Sequence, residues 1–153
     1  NAVRAVEPAA DDLALDDVLR QAAANLAVEV PGASERLRIE ADPSVRLVGD
    51  RELLAQAFLN VLKNAVEASP DAPVHAGGRR VAKRVEIHVR DDGPGLPPEA
   101  VGRIFEPFYT TKEQGMGIGL YLAKRIIEAH GGTIEARSRE GEGTEFRIEL
   151  PGA

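Results

Sequence analysis

The stretch that decides how this chain is read is Val85-Glu86-Ile87-His88-Val89-Arg90-Asp91-Asp92-Gly93-Pro94-Gly95. Val85, Ile87 and Val89 alternate with Glu86, His88 and Arg90, a period of two that predicts a strand with one buried and one wet face. Asp91 continues the parity of Val89, so its carboxylate is expected on the buried side. A carboxylate there is costly unless something donates hydrogen bonds to it. The glycines that follow allow a sharp turn and a close approach of backbone to a ligand. Taken alone, Asp91 to Gly95 reads as a capped turn, because Asp-Gly and Pro-Gly are ordinary turn pairs. The rest of the chain reverses that reading.

A chain of 153 residues fits one domain with a real core. Its 43% apolar and 29% charged residues are those of a soluble globular protein, and with 4% aromatics and no tryptophan the core must be mostly aliphatic. A net charge of −6 argues against nucleic acid as the main partner. The absence of cysteine excludes disulfide and thiolate chemistry and fits a reducing, cytoplasmic setting. No apolar run reaches the length of a membrane span and no signal peptide is visible, so no direct membrane contact is expected. Starting at Asn1 without a methionine, the chain is expected to be a piece of a longer one.

Residues 1–12, rich in Ala, Pro and Asp, look like a linker remnant, with the domain proper over 13–153. Asp16 or Asp17 is expected to cap a helix through about Val28. Leu37 to Glu40 and Val45 to Val48 read as strands. Gly49-Asp50 opens a long helix to about Ala68, with Leu54, Ala57, Phe58, Val61 and Ala65 as its apolar stripe, stopped by Ser69-Pro70. Residues 70–84 read as a loop whose Arg79, Arg80, Lys83 and Arg84 are solvated. After the central strand, Pro97-Pro98-Glu99 starts a short helical turn to about Ile104. Ile118, Tyr121, Leu122, Ile126 and Ala129 mark a third substantial helix, stopped by Gly131-Gly132. Ile134 and Ala136, then Phe146, Ile148 and Leu150, alternate with charged residues on either side of Gly141-Glu142-Gly143, a closing hairpin. The pattern predicts an α+β two-layer sandwich: a single mixed sheet with helices on one face and water on the other.

Two features of this frame point to chemistry. The long helix carries Asn60 and Asn64 one turn apart, with Gln56 and Glu67 extending the polar stripe and Lys63 beside it. Asparagine is a poor helix former, so the pair is either an exposed face or a functional one, and its amide oxygens suit Mg²⁺. Gly115-Met116-Gly117-Ile118-Gly119 opens the third helix and offers free backbone N–H groups to phosphate, with Lys112 as a nearby cation. Neither GxxxxGK[ST] nor GxGxxG after a strand is present.

Together these pieces resemble the ATP-binding catalytic domain of bacterial sensor histidine kinases, of the Bergerat-type GHKL superfamily, from about Asp11 to Leu150. Asn60-Val61-Leu62-Lys63-Asn64-Ala65 looks like the asparagine box and Asp91 to Gly95 like the first glycine box. Phe105-Glu106-Pro107-Phe108-Tyr109-Thr110-Thr111-Lys112 looks like the phenylalanine box. Gly115 to Leu120 looks like the second glycine box, and Gly141-Glu142-Gly143-Thr144 like the last. The phenylalanine box separates this family from related chaperones, mismatch-repair ATPases and topoisomerases. The Asn-Ala-Val-Glu-Ala stretch is similar to the nitrogen-regulation type of sensor kinase.

The resemblance implies an activity and a role for each matched residue. The domain would bind Mg·ATP and transfer the γ-phosphoryl to a histidine, as the kinase part of a two-component signalling system. Asp91 would accept the adenine amine, with Gly93 and Gly95 letting the base approach. Asn64 would bind Mg²⁺, with Asn60 on the metal or its waters and Lys63 flanking the site. Residues 108–117 would form a lid over the phosphates, mobile without nucleotide, from which Lys112 reaches the γ-phosphate. Gly115, Gly117, Gly119 and Leu120 would line the phosphates, and Thr144 the pocket floor. Phe105 and Phe108 would dock a helical dimerisation domain, with core packing as the other reading of Phe108.

Two positions depart from the family pattern. Asp92 stands where the family often has asparagine, and parity favours Asp91 over it. None of His75, His88 and His130 sits in a phospho-acceptor context, and the resemblance implies that the acceptor histidine lies on a separate domain of the same protein. A response-regulator receiver domain would be the second partner. A protein-serine kinase of the anti-sigma type would be expected to lack the Phe-Glu-Pro-Phe run. A non-catalytic adaptor would be expected to have lost Asn64 or the glycines.

Overall fold

The computed structural model describes residues 7–109 and 118–153. The chain runs β1 (Asp11–Ala14), α1 (Leu15–Glu29), α2 (Ala33–Arg36), β2 (Leu37–Ala41), β3 (Arg46–Gly49), α3 (Arg51–Ala68), β4 (Val74–Val81), β5 (Arg84–Asp91), α4 (Pro98–Val101), α5 (Gly119–Ala129), β6 (Thr133–Ser138) and β7 (Thr144–Pro151). A five-stranded mixed sheet has the order β2-β4-β5-β7-β6, parallel between β2 and β4 and antiparallel elsewhere. α1, α3 and α5 cover one face, with α3 in the middle, packed on both other helices and on β5.

The period of two becomes rows of side chains across β5, β7 and β6. Ile87, Ile148 and Ile134 are in register, then Val89, Phe146 and Ala136. Against them α3 presents Leu54, Ala57, Phe58, Val61, Leu62 and Ala65, all fully buried. Burial of each large side chain stabilises by about 1.5–3 kcal/mol, so α3 is held by its stripe and its asparagines stay on the rim.

Both ends of α3 are tied down. Asp50 caps the N-terminus, accepting the N–H of Leu53 at 3.1 Å and that of Ala9 at 3.0 Å. These two bonds, the Ala9 one foremost, hold the Asp50 carboxyl below its ordinary range. His130 Nε2 accepts the Asp50 N–H at 3.0 Å, so Nδ1 carries the proton and donates to the Ile126 carbonyl at 2.8 Å. This histidine thereby ties the end of α5 to the start of α3. At the C-terminus the Arg36 guanidinium donates to the carbonyls of Val66 and Ser69.

Four expectations are corrected. Residues 70–84 are not a loop, because Val74–Val81 is β4, hairpinned to β5. Its alternation is hidden because Gly77 and Gly78 have no side chains to show it and Arg79 and Arg80 follow. Arg79, Arg80 and Lys83 of the basic run are exposed, as expected, and three of its four cations also make surface contacts. Arg79 pairs with Glu86, Arg80 donates to Ala82 and Ala153, and Arg84 to Gly131. The sheet is not single: β1 and β3 form a separate antiparallel pair. The linker does not reach residue 12, since Asp11 and Asp12 lie in β1 and Ala9 is bonded to Asp50. Finally, α1 starts one residue before Asp16 with Ala14 at the cap, so Asp16 and Asp17 fall in the first turn, where they suit the helix dipole.

Candidate nucleotide site

The apolar rows end in a polar one. Beyond Val89, Phe146 and Ala136, the next in-register set on the same face is Asp91, Thr144 and Ser138. Asp91 is 1% exposed and Thr144 6%. Parity therefore put Asp91 inside, and its neighbour Asp92 is exposed. Asp91 Oδ1 accepts the Gly93 N–H at 2.8 Å, while Oδ2 is buried without a partner among the described residues. Burial raises the Asp91 carboxyl above its ordinary range and the charge of Asp92 adds to this, whereas the N–H groups of Gly93 and Thr144 oppose it. A buried acceptor left open in this way is costly, because buried polar groups are ordinarily paired.

The loops around it are drawn close by two glycines in the left-handed region. Gly95 has φ +74°, and a Cβ there would collide with the Arg139 carbonyl. Gly143 has φ +78°, and a Cβ there would collide with the backbone of Asp91. The turn at 141–143 also bonds back, Gly141 N–H donating to the Pro94 carbonyl at 2.6 Å. The first and last glycine boxes thus form one structure around the carboxylate.

Gly93 lies against Ala68 at the end of α3. From there the helix leads back past Asn64 to Asn60, eight residues or about 12 Å along its axis. Asn60 faces Gly119, whose Cβ position is 3.7 Å from the Asn60 amide carbon. The first-turn N–H groups of Gly119 and Leu120 have no partner within α5, while the Leu120 side chain joins the core. Asn64 is half-buried with no hydrogen bond among the described residues. Asn60 Oδ1 accepts from Gln56 at 3.2 Å, and its Nδ2 is buried without a partner among the described residues. Along α3, among the described residues, a lone acceptor therefore stands near one end and unpartnered amide and helix-start donors about 12 Å away.

Not every expected residue joins it. Lys63 turns to Glu29 of α1, an exposed pair at 3.2 Å. Lys112, Gly115 and Gly117, with the rest of the expected lid from 110 to 117, lie outside the described residues. The two phenylalanines part company. Phe105 packs edge-on to Phe146, centroids 6.2 Å apart. Phe108 is 71% exposed, which sets aside core packing for it, and has φ +68°, a strained backbone for an aromatic residue.

Ser138 was missed. Its Oγ accepts the Leu96 N–H at 2.7 Å and lies 2.9 Å from the Gly143 carbonyl and 2.8 Å from Thr144 Oγ. The signal was available, since Ser138 continues the parity of Ile134 and Ala136.

Residues 49–153 match the family described as Histidine kinase-, DNA gyrase B-, and HSP90-like ATPase. Sporulation kinase A of Bacillus subtilis is 42% identical over 109 residues, covering 71% of this chain and 18% of that protein. Nitrogen regulation protein NtrY of Azorhizobium caulinodans is 34% identical over 156 residues, 96% of this chain and 20% of that protein. Sensory histidine kinase/phosphatase NtrB of Rhodobacter capsulatus is 38% identical over 158 residues, 90% and 42% respectively. The chain thus spans less than half the length of these relatives. Among solved structures, the mycobacterial sensor histidine kinase MprB superposes with a TM-score of 0.81 at 27% identity, covering 94% of this chain and 97% of that one. Full-length ShkA in complex with AMPPNP superposes with a TM-score of 0.82 at 32% identity, covering 99% and 33%. The matched segment begins at the cap of α3 and runs through β7, so both asparagines, the open carboxylate and Thr144 all fall inside it, and the chain belongs to the histidine kinase-, DNA gyrase B- and HSP90-like ATPase family.

Proposed function

We propose that this chain binds Mg·ATP and passes its γ-phosphoryl to a histidine on a separate helical dimerisation domain of the same protein. The full-length protein would then be a sensor kinase acting on a response-regulator receiver domain from the cytoplasmic side. The observation that carries this is Asp91 Oδ2, a buried acceptor without a donor among the described residues. An adenine amine is a donor of the right kind and size for it. The sensor-kinase names of the relatives support the choice of acceptor. So does the exposed Phe108, which with the groove lined by Phe105, Pro107 and Tyr121 offers an apolar anchor to a helical partner. The catalytic domain would take in β1, from about residue 11, and the residues before it would be the connection to the acceptor domain.

The donor set fits a magnesium nucleotide. Asn64 has a free amide oxygen, a hard neutral ligand for Mg²⁺. When bound, the ion neutralises phosphate charge. Asn60 directs an unpartnered N–H₂ inward, which suits a phosphate oxygen better than direct ligation of the metal. The N–H groups at the start of α5 face the same place, and Lys112 and the glycines at 115 and 117 complete the phosphate end in this proposal. Phosphoryl transfer then rests on positioning and charge neutralisation.

Titrating ATP with and without Mg²⁺ tests the reading. Asn64→Ala is expected to weaken ATP in Mg²⁺ by about tenfold or more, the worth of a charge-assisted contact, while adenosine binding stays unchanged. Equal weakening of both would make Asn64 a structural residue.

Adenine binding should also be linked to pH through Asp91. Without nucleotide its carboxyl is raised, chiefly by burial. An amine donating to Oδ2 favours the ionised form and pulls the pKa back down. Binding therefore releases a proton and weakens as pH falls through the raised value. Calorimetry of ADP in buffers of different ionisation heat should show that release for the wild type and none for Asp91→Asn. Identical heats in all buffers for the wild type would contradict the assignment.

A further inference from the structure

We infer that Ser138 is a positioning residue for base selection: by taking the hydroxyl proton of Thr144 it makes the Asp91–Thr144 row a set of acceptors only, matched to an exocyclic amine and closed to an exocyclic carbonyl. The inference rests on the nucleotide reading above and deepens it.

The argument is a count of protons. Asp91, Thr144 and Ser138 sit side by side on three adjacent strands, in register and on the same face. Directly opposed residues of this kind bring their side chains into contact. A serine hydroxyl has one proton and two lone pairs. Around Ser138 Oγ stand the Leu96 N–H, which only donates, and the Gly143 carbonyl, which only accepts. The third neighbour, the Thr144 hydroxyl, can do either. One arrangement satisfies all of them: Ser138 donates to Gly143 and accepts from both Leu96 and Thr144. The reverse, with Ser138 donating to Thr144, leaves the Gly143 carbonyl without this donor and leaves one Ser138 lone pair unused.

Thr144 then has no proton to offer a ligand. Its lone pairs remain, and Thr144 stands directly opposite Asp91, whose Oδ2 is also an acceptor and also open among the described residues. An amine with two N–H groups can serve such a pair. A purine with a carbonyl at the same position sets acceptor against acceptor in a buried site, where unpaired polar groups are heavily penalised. Without Ser138, the Thr144 hydroxyl is free to turn and donate to that carbonyl.

The test compares ADP with inosine diphosphate, by calorimetry, on wild type, Ser138→Ala and Ser138→Thr, with thermal unfolding of each. The wild type should prefer ADP. Ser138→Ala should narrow that preference by about tenfold, near the upper worth of a single hydrogen bond, and Ser138→Thr should restore it. Thr144→Val provides an independent arm that leaves Ser138 in place. It should weaken ADP by about threefold to tenfold and leave inosine diphosphate unchanged. If Ser138→Ala or Thr144→Val weakens both nucleotides by the same factor, Ser138 is merely structural and the inference is overturned. An unchanged preference overturns it equally. If the wild type binds neither nucleotide, the nucleotide reading itself falls and takes this inference with it, a result distinguishable from the others in the first titration.

Discussion

Asp91→Ala is expected to weaken ATP and ADP by about a hundredfold, the scale of a lost hydrogen bond to a charged, buried acceptor. Asp92→Ala should stay within about twofold, as a surface substitution does. The two residues are adjacent acids, so charge alone cannot tell them apart. Position does: Asp91 is 1% exposed at the end of the apolar rows of β5, with Oδ2 unpartnered, and Asp92 points to solvent. Asp91→Ala also removes an acceptor for the Gly93 N–H, so part of its effect will come from a loosened turn. Adenosine titrated alongside ADP isolates the base contact. Isothermal calorimetry on both variants decides, and equal losses would refute the parity argument.

A second large effect is expected in what the chain does not do. Hydrolysing members of the superfamily are implied by the resemblance to carry a glutamate one turn before the metal-binding asparagine, where it activates water. Asn60 occupies that place here. An amide can orient a water but cannot take its proton, so general-base help worth about 10²–10⁴-fold is missing. Release of free phosphate from ATP by this chain should therefore be slower by about that factor than in a glutamate-bearing relative assayed alongside. A neutral imidazole needs no such base, because it is already a nucleophile. Comparable turnover by the two proteins would show that another group activates water.

The frame of the molecule was legible wherever side chains advertise a period. β5, β6 and β7 alternate cleanly, and α3 and α5 carry unbroken stripes. Asp91 was legible for the same reason, since it is simply the next inward position after Val89. β4 was not, because Gly77 and Gly78 erase the alternation and two arginines read as solvated loop; only pairing with β2 and β5 makes it a strand. β1 was hidden in a polar terminus for a similar reason. Pairing over four residues with β3, not propensity, defines it. Lys63 was drawn into the site by its place in the asparagine box, yet helix geometry sends it toward Glu29. Ser138 shows the opposite failing. Its parity was readable, but a lone serine at a strand end carries no motif, and of its three polar neighbours Gly143 and Thr144 lie across the hairpin while Leu96 comes from a loop 42 residues away.

Transfer of label from ATP is the most direct measurement of the central claim. The chain is incubated with γ-labelled ATP and Mg²⁺, alone and with a separately made helical acceptor domain from the full-length protein. Label is expected only when the acceptor is present and only on its histidine, as a phosphate stable in base and lost in acid. Label on this chain itself, or on a serine as a phosphate stable in acid, would contradict the account.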